Sequence, residues 1–417
     1  MEHASESNSG QSNGVLDGVR VLDFSRVLAG PFATRMLADM GADVVKVEPP
    51  EGDVTRLLGK KVSGIGGYFH QQNAGKRDIC LDMKASGASE LILKLVAKSD
   101  IVVENFRPGI MERFGLGWAE LHKVKPDLVM LSISGFGQVG PERNRAAYAA
   151  VIHGESGLLA RQAYVDKVQV PTDLPLSLAD SFASLHGLAA LLAALYSAKR
   201  TGVGQHIDLA MINAMFVSDD YAHLVLDGFE VTGPGGRIFE APGGPVIVNG
   251  DDKLFWHHIS TVHGLADPSP AGAGLEEKIA SRRALVEEWF RSCPSREELI
   301  ARLDASNLAW GNVYSHTEVW DRQASIVERH VLTQVDDRSG GSRRLPQSPY
   351  WFSDARSEVR GPAHFLGEDN ETVLADWLNV APTDVEDLKN SGVLHEAPRP
   401  TGTVDHPVAL TVDTTAR

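Results

Sequence analysis

Residues 19–48 decide the fold, and they read V-R-V-L-D-F-S-R-V-L-A-G-P-F-A-T-R-M-L-A-D-M-G-A-D-V-V-K-V-E. The β-branched runs V-R-V-L-D and D-V-V-K-V-E predict strands, and P-F-A-T-R-M-L-A-D-M-G between them has apolar residues at helical spacing. Pro31 suits the first turn of this helix, and Gly41 suits its end after Met40. A strand, a helix and a strand in succession predict a βαβ unit, and therefore a parallel sheet.

The same alternation continues to Ser134, through S-E-L-I-L-K-L-V-A-K-S, D-I-V-V-E-N and D-L-V-M-L-S-I-S. Residues 180–200 form the clearest helical pattern, and the strand-like H-I-D-L-A-M follows them directly. Helical patterns resume at residues 371–377 and 382–391. The sequence therefore predicts an α/β fold with a parallel, doubly wound sheet.

A length of 417 residues favours two domains. Between the α/β region and the later helices, the sequence changes to Gly/Pro turns, a short strand and amphipathic helices, which predict a smaller α+β domain. The predicted divisions are a disordered tail (1–14), the N-terminal part of a large ligand-binding domain (15–227), the small domain (228–335), a linker and return to the large domain (336–396) and a loose tail (397–417).

Composition excludes several classes of protein. The formal net charge of −15 disfavours binding to nucleic acid or to an anionic membrane. Apolar stretches such as residues 188–195 are shorter than the roughly 20 residues of a membrane span. No secretion signal is recognisable, and two cysteines give neither a disulfide framework nor a metal pattern, so we expect a cytoplasmic protein without a bound metal.

The usual motifs of nucleotide and hydrolase sites are missing: there is no P-loop, no G-x-G-x-x-G opening a helix, no G-x-S-x-G and no H-E-x-x-H. Candidate residues instead lie at predicted strand ends, where an α/β sheet forms its ligand crevice. The first group is F-S-R-V-L-A-G-P at residues 24–31, whose free backbone amides could meet a phosphate or a thioester. A plain connecting loop is the alternative.

Two further groups carry cations. Residues 73–77 and 81–84 place three cations within nine residues, as a 3′-phosphate of a nucleotide would require. E-N-F-R-P-G at residues 104–109 follows a strand, and its aromatic ring could stack on an adenine. Solvated loops are the alternatives in both cases.

Asp180 begins the long helical pattern, so taken alone it is first interpreted as an N-cap residue. The same position also suits catalysis, because a carboxylate at a helix N-terminus stays ionised and neighbouring amides can stabilise an oxyanion. Both interpretations remain open at this point.

Several motifs, in this order, resemble the family III CoA-transferases over residues 15–396. They are the opening run above, N-A-G-K-R-D-I-C-L-D-M-K (73–84), E-N-F-R-P-G (104–109), S-I-S-G-F-G (132–137), T-G-V-G-Q-H-I-D-L-A-M (201–211), G-P-A-H-F-L-G-E (361–368) and L-K-N-S-G-V-L (388–394). The resemblance implies a Rossmann-like large domain built from N- and C-terminal segments, a smaller domain between them, and an interlocked homodimer. It implies acyl-CoA and a small carboxylic acid as substrates, with coenzyme A as the cosubstrate and no permanent cofactor.

The resemblance also implies roles for individual residues. Asp180 would be the nucleophile that carries CoA as an aspartyl thioester. The implied CoA contacts, with their neighbours, are Val27, Leu28, Asn73, Lys76, Arg77, Leu81, Asp82, Met83, Lys84, Asn105, Phe106, Arg107 and Arg113.

The sequence departs from the family pattern near the reacting groups. Ala149 stands where an acidic residue is common after a tyrosine, Leu28 stands where formyl-CoA transferase has a glutamine, and residues 233–236 do not clearly reproduce its glycine loop. We therefore expect an acyl group that is bulkier or less polar than formate or oxalate.

Two alternative functions stay open. One is an α-methylacyl-CoA racemase or epimerase, which needs an acid/base pair at the α-carbon. His153 is near the expected position, although a core or hydrogen-bonded histidine is the simpler interpretation. The other is a non-catalytic subunit that binds CoA and pairs with an active homologue, which the presence of Asp180 disfavours.

Overall fold

The computed structural model describes residues 14–229 and 235–397. The chain divides into two compact units, residues 1–229 with 327–417 and residues 230–326, and each is described by itself. The predicted tails, 1–14 and 397–417, lie almost entirely outside the described residues, as do Gly233 and Pro234 of the candidate glycine loop.

Strands and helices are numbered along the chain. The strands are β1 (Arg20–Asp23), β2 (Asp43–Glu48), β3 (Lys61–Val62), β4 (Ile65–Gly66), β5 (Arg77–Leu81), β6 (Ile101–Glu104), β7 (Val129–Ser134), β8 (Gln205–Ala210), β9 (Gly236–Phe239), β10 (Val246–Asn249), β11 (Trp310–Asn312), β12 (Leu332–Asp336), β13 (Ser342–Pro346) and β14 (Leu394–His395). The helices are α1 (Ala29–Asp39), α2 (Gly67–Asn73), α3 (Ala88–Val96), α4 (Ile110–Arg113), α5 (Trp118–Val124), α6 (Ala149–Glu155), α7 (Leu158–Asp166), α8 (Leu178–Thr201), α9 (Met211–Val217), α10 (Ala222–Leu226), α11 (Asp252–His263), α12 (Leu275–Arg291), α13 (Arg296–Ala305), α14 (Val319–Arg322), α15 (Ala324–Glu328), α16 (Asn370–Leu378) and α17 (Pro382–Asn390), with a 3-10 helix at Val54–Leu57.

The larger unit is built on a seven-stranded sheet in the order β14-β5-β2-β1-β6-β7-β8. All neighbouring strands pair in parallel except β14, which pairs antiparallel with β5 at one edge. The predicted α/β fold with a parallel sheet is therefore confirmed. Strand β1 lies between β2 and β6, so the chain adds strands on one side of β1 and then on the other.

Alternate residues of the central strands enter two separate cores, one on each face of the sheet. Val21, Val103 and Leu131 point into the core that contains helices α1, α8 and α9. Leu22 and Val102 point to the opposite face, where α3, α5, α16 and α17 pack. Because both faces are covered, the strands are apolar throughout, as a doubly wound sheet requires.

The turn from β1 into α1 is fixed by close packing and by a buried carboxylate. A Cβ added at Gly30 would lie 2.1 Å from the Cβ of Ser25, so only glycine fits there. The fully buried Asp23 accepts hydrogen bonds from the Ser25 amide at 2.9 Å and from the Thr34 hydroxyl at 2.6 Å. These contacts set the direction in which α1 leaves the sheet.

Helix α8 is the long helix predicted from Asp180. By length and apolar composition alone it could cross a membrane. Ala183, Leu188 and Leu191 are, however, buried in the core over β7 and β1, which is the ordinary place for such a helix. The helix ends at Gly202, whose φ of 70° places it in the left-handed region, as the sequence predicts.

The C-terminal segment, residues 327–397, contributes to the larger unit. Strand β14 joins the sheet, and α16 packs beside β5, where the Asp369 carboxylate accepts from the Asp78 amide at 2.7 Å. The sequence predicts that the segment 336–396 begins with a charged, Gly-containing linker at residues 336–348. That prediction is wrong, because β12 and β13 pair as an antiparallel hairpin whose turn is held by the Asp337 carboxylate.

The smaller unit, described from residue 235 to residue 326, contains the three-stranded antiparallel sheet β11-β10-β9. Its core is formed by residues of the sheet and of α11, α12 and α13, including Phe239, Phe255 and Phe290. The rings of Phe239 and Phe290 stack with centroids 4.1 Å apart.

Candidate active site

The site lies at the carboxyl ends of the neighbouring strands β1 and β6, whose following helices α1 and α4 pack on opposite faces of the sheet. This is the crevice that an α/β sheet offers to a ligand. The loops that follow these two strands are tied together reciprocally. The amide of Arg26 donates to the Asn105 side-chain oxygen at 2.7 Å, and the Asn105 side-chain nitrogen donates to the Arg26 carbonyl at 2.7 Å. The predicted first and third groups are therefore brought together.

Val27 has an unusual backbone conformation in this crevice. Its φ of 68° is strained for a β-branched residue, at a cost of about 1–3 kcal/mol. The Asp53 carboxylate accepts from the Val27 amide at 3.1 Å and holds the loop in this conformation. Strain that is maintained by a specific contact beside a cavity is typical of a functional site.

Asp180 is the third residue of α8, since the helix begins at Leu178 after the N-cap residue Ser177. Its interpretation as an N-cap is therefore wrong. Its side chain is only 8% exposed, and burial raises the pKa of the carboxyl to about 6. Hydrogen bonding from the backbones of Ala29, Asp180 itself and Ala149, together with the nearby His153, opposes this rise.

Ala29 is the first residue of α1 and Ala149 is the first residue of α6. The amino ends of three helices, α1, α6 and α8, thus converge on one carboxyl group. Helix amino ends carry partial positive charge and free amide donors, which stabilise negative charge on a carboxylate or an oxyanion. The arrangement is suited to a carboxylate that reacts at its own carbonyl carbon.

His153 is buried beside the first turn of α8, with 1% exposure. Its Nε2 lies 3.2 Å from the amide of Ala179, which can only donate, so Nε2 accepts and the ring proton is on Nδ1. Nδ1 lies 2.8 Å from the Asp173 carboxylate, and this hydrogen bond lowers the pKa of Asp173. His153 is therefore a buried, hydrogen-bonded histidine. This agrees with the simpler of the two interpretations that the sequence allowed.

Asp180 lies in the shared wall of two cavities. Cavity 1, about 460 Å³, also contains Asn105, Arg107 and Ser134 in its lining. Cavity 3, about 430 Å³, is lined by His153 and by the segment from Asp173 to Ser177. Val27, Tyr148 and Asp180 belong to both linings, so a reacting group at Asp180 is accessible from both sides.

Cavity 2, about 340 Å³, lies at the carboxyl end of β5 and borders cavity 1 through Arg26, Phe106 and Arg107. It is lined by the predicted segment Leu81–Lys84 and by the rings of Phe106 and Phe114. Aromatic rings with cations at their edge are suited to a purine ring and its phosphates.

The structure does not bring every predicted residue to these cavities. Lys76 is 2% exposed, and its ammonium lies 3.0 Å from the Asp23 carboxylate and 2.8 Å from the Asn73 side-chain oxygen. Burial lowers the pKa of Lys76 to about 8 although Asp23 opposes this. Arg77 pairs with Asp43 at 2.5 Å, so both cations neutralise carboxylates of the fold rather than line the described cavities.

The expected cluster of three cations is separated because β5 lies between its members. Lys76 precedes this strand, whereas Lys84 follows it and lines cavity 2. Arg113 is exposed at the end of α4 and lines none of the described cavities. Leu28 lines cavity 3 with Asp180.

Sequence reasoning missed several polar side chains of the site, among them Tyr68, Ser134 and the two arginines Arg143 and Arg145 in the lining of cavity 1. Tyr68 lines cavity 3, and its pKa is raised to about 12 by burial and by the charges of Asp180 and Asp53, so its hydroxyl stays protonated. The Ser134 hydroxyl is buried in the lining of cavity 1 and has no hydrogen-bond partner among residues 14–229 and 235–397. No sequence signal distinguished Tyr68, whereas Ser134 lies in the quoted S-I-S-G-F-G motif.

Within the described part of the chain, no three His, Cys, Asp or Glu side chains cluster so that they could hold a metal ion. Together, the doubly wound sheet, the buried carboxyl and the adjoining cavities define an α/β protein with a candidate active site at the switch point of the sheet.

Comparison with known proteins identifies the family. The family model described as CoA-transferase family III matches residues 16–370. A succinate–glutarate CoA-transferase of Agrobacterium fabrum is 41% identical over 88% of this chain and 97% of that protein. A formyl-CoA:oxalate CoA-transferase of Streptomyces avermitilis is 32% identical over 91% of this chain and 99% of that protein. The chain belongs to CoA-transferase family III, which confirms the family and the kind of enzyme predicted from its motifs.

A solved structure supports the same conclusion. The crystal structure of a CAIB/BAIF family protein from Brucella suis superposes with a TM-score of 0.75 at 30% identity, and the match covers 88% of this chain and all of that one. Coenzyme A is accordingly a substrate of this enzyme class, as the resemblance implied.

Proposed function

We propose that the protein moves CoA from an acyl-CoA thioester to a carboxylic acid through an aspartyl-CoA thioester on Asp180. The observation that carries this proposal is the buried Asp180 carboxyl in the shared wall of cavities 1 and 3, beside the first residues of α1 and α6 and within the first turn of α8. CoA would lie with its adenine end in cavity 2, its phosphates near Arg26 and Arg107, and its thiol near Asp180.

The transfer consists of four substitutions at carbonyl carbons. A carboxylate oxygen of Asp180 attacks the donor thioester carbon, the C–S bond breaks, and a mixed anhydride and CoA thiolate form. The thiolate attacks the Asp180 carbonyl carbon and releases the donor acid, leaving aspartyl-CoA. The acceptor carboxylate then attacks this thioester and releases the thiolate, which finally attacks the acceptor carbon of the second anhydride and frees Asp180.

The surroundings of Asp180 suit these steps. Each substitution develops an oxyanion, which the converging helix amides would stabilise without reorganisation. The four steps require no net proton transfer and no redox partner, in agreement with a site whose nearest imidazole, His153, already uses both ring nitrogens. Burial limits the access of water, which would otherwise hydrolyse the anhydrides and the thioester.

The racemase alternative needs a base that can remove a proton α to the thioester. His153 is the candidate histidine, but its Nε2 accepts from the Ala179 amide and its Nδ1 bonds Asp173. No feature of the described site favours a racemase over a CoA-transferase, and none favours a non-catalytic subunit that only binds CoA. Appearance of solvent deuterium at the α-carbon without exchange of acyl groups would favour the racemase.

Three acids named for the two relatives above, succinate, glutarate and oxalate, carry two carboxylates, whereas the formyl group named for the second relative comes from an acid with one. The names support a dicarboxylic acid as at least one of the two substrates of this chain. The prediction of an acyl group bulkier or less polar than formate or oxalate is tested by a competition assay. A marked preference for formate or oxalate over longer acids would contradict it.

We further propose an interlocked homodimer with a large and a small domain, located in the cytoplasm, on the strength of the resemblance. Native mass spectrometry would give the number of chains in the assembly. A stable monomer would contradict both the homodimer and its interlocking.

The test of the reaction is mass spectrometry of the intact protein and its peptides after incubation with a panel of acyl-CoA esters. A CoA-sized adduct on the Asp180 peptide, discharged by hydroxylamine and absent from Asp180→Ala, is the expected result. Asp227→Ala is the matched control, because Asp227 is exposed and lines none of cavities 1–3. Bound CoA without any adduct over the whole panel would contradict the proposal.

A further inference from the structure

Cavity 1 is lined by four arginines and a single carboxyl group. The arginines are Arg26, Arg107, Arg143 and Arg145, and the carboxyl is that of Asp180. One reacting carboxylate cannot neutralise four guanidinium groups, so the surplus positive charge indicates an anionic ligand. The question is which arginine faces which anionic group.

Arg145 is neutralised within the protein. Its guanidinium pairs with Glu155 at 2.6 Å and with Glu142, and it lies 4.7 Å from the ring of Phe136. These contacts raise the pKa of Arg145 and hold the side chain against the protein. Arg145 therefore supports the cavity wall and is not the surplus charge.

Arg26 and Arg107 line cavity 2 as well as cavity 1. They stand at the junction of the two cavities, where the diphosphate of a CoA seated in cavity 2 would pass. Diphosphate oxygens are acceptors that guanidinium groups bind in a bidentate manner. The charges of Arg26 and Arg107 are thus accounted for by CoA itself.

Arg143 lines cavity 1 but not cavity 2. Its side chain is exposed at the rim of the cavity, and within residues 14–229 and 235–397 its guanidinium forms no ion pair, side-chain hydrogen bond or ring contact. Cavity 1 also holds the buried Ser134 hydroxyl, which lacks a partner in the same described ranges. Two polar groups thus remain without a protein partner in the cavity that also contains the reacting carboxyl.

We infer that Arg143 is the residue that selects the dicarboxylic acyl groups proposed above, by binding the distal carboxylate of an acid longer than oxalate whose other carboxyl forms the CoA thioester. This inference rests on the proposed transfer through Asp180. The near carboxyl of the acid reacts at Asp180, and the far carboxylate binds the Arg143 guanidinium across cavity 1. Ser134 is the neighbouring donor that favours a polar acyl group over a plain alkyl chain.

The test compares acids of equal length that differ in the far carboxylate: succinate with butanoate, and glutarate with pentanoate, each as acceptor and as CoA donor. In the unaltered protein the dicarboxylates have the higher kcat/KM. A charge-assisted hydrogen bond of ordinary strength predicts that Arg143→Gln lowers this value by about 10-fold or more for succinate and glutarate. The same variant leaves the values for butanoate and pentanoate unchanged, and Arg143→Lys restores part of the loss.

Arg107→Gln is the matched comparison, because Arg107 is assigned to CoA. That variant weakens binding of free CoA and lowers kcat/KM for all four acids by a similar factor. Arg200→Gln, on the exposed end of α8, is the inert control.

Three outcomes overturn the inference while leaving the aspartyl-CoA route intact. First, Arg143→Gln could weaken the binding of free CoA as Arg107→Gln does, which would assign Arg143 to a phosphate of CoA. Second, it could lower kcat/KM for monocarboxylates and dicarboxylates by the same factor. Third, it could leave kcat/KM unchanged for both kinds of acid. Absence of any CoA adduct on Asp180 with every donor is a different result, because it contradicts the proposed function itself.

Discussion

Replacing Asp180 by asparagine tests the electrostatic description of the site without reference to any substrate. Burial raises the pKa of this carboxyl from 3.8 to about 6, so the folded state binds a proton there more tightly than the unfolded state does. Stability associated with this group is fully present below about pH 4, falls as the pH rises, and is lost above about pH 6. The pKa of the folded state exceeds that of the unfolded state by about two units, which corresponds to roughly 3 kcal/mol of unfolding free energy.

Asparagine removes this dependence because its amide does not titrate. It also places an amide where backbone donors converge, which adds a cost that is the same at every pH. The diagnostic quantity is therefore the change with pH in the difference of unfolding free energy between Asp180→Asn and the unaltered protein. Between pH 4 and pH 8 this difference should move in favour of the variant by about 2–3 kcal/mol.

The assay is urea unfolding followed by circular dichroism at four or five pH values, with the same buffers and ionic strength throughout. Asp227→Asn, at an exposed position, is the control and should track the unaltered protein at every pH. A difference for Asp180→Asn that stays constant within about 0.5 kcal/mol across this range would refute the raised pKa. A difference that moved in the opposite direction would show that the convergent amides outweigh burial.

Three other substitutions follow from contacts described above. His153→Leu leaves the buried Ala179 amide without an acceptor, so it should lower kcat about 10-fold or more with little change in KM. The side chain of His153→Gln can still accept this hydrogen bond, so that variant should recover part of the lost kcat. An equal loss of kcat in both variants would contradict this role of His153. Burial raises the pKa of Glu104 to about 7, so its ionisation costs stability as the pH rises. Relative to the unaltered protein, the unfolding free energy of Glu104→Gln should therefore increase by up to about 3 kcal/mol between pH 4.5 and pH 8. A difference in unfolding free energy that does not change with pH in the same urea assay would refute this. Lys76→Met should destabilise the fold by about 3–5 kcal/mol, measured by calorimetry, because it removes the cation that pairs with the buried Asp23 carboxylate and leaves Lys46 to offset that charge. The folded variant should bind CoA normally. Selective loss of CoA affinity would restore Lys76 as a ligand contact.

The sheet was predictable because its signal is local. Alternating apolar strands and a helix with Pro31 and Gly41 at its ends follow from residue types that are adjacent in sequence. The hairpin of β12 and β13 was missed because both strands are short and charged, so their pairing is not visible in either one alone. The N-terminus of α8 was placed two residues late because Asp180 and Ser177 are both favourable N-cap residues, and residue type alone does not show that Ser177 is the cap.

The site was predictable only in part, for a different reason. Leu81–Lys84, Asn105 and Asp180 follow strands or begin a helix, and strand ends meet at one edge of the sheet. Whether a lysine faces a ligand or a buried carboxylate depends on residues far away in sequence. Lys76 bonds Asp23, 53 residues earlier, and no local pattern distinguishes it from the cavity-lining Lys84.

The edge of the sheet at β5 has a consequence for how the protein is made. The amides of Asp78 and Cys80 donate to side chains of Asp369 and Asn370, and the Asp82 amide donates to the Val393 carbonyl. A ribosome that has synthesised β5 must add almost 300 further residues before these partners exist. During that interval the nascent chain presents an uncovered strand edge, which favours association with other chains. Expression truncated before residue 369 should therefore yield aggregated protein, even though β1, β2, β5, β6, β7 and β8 are all present.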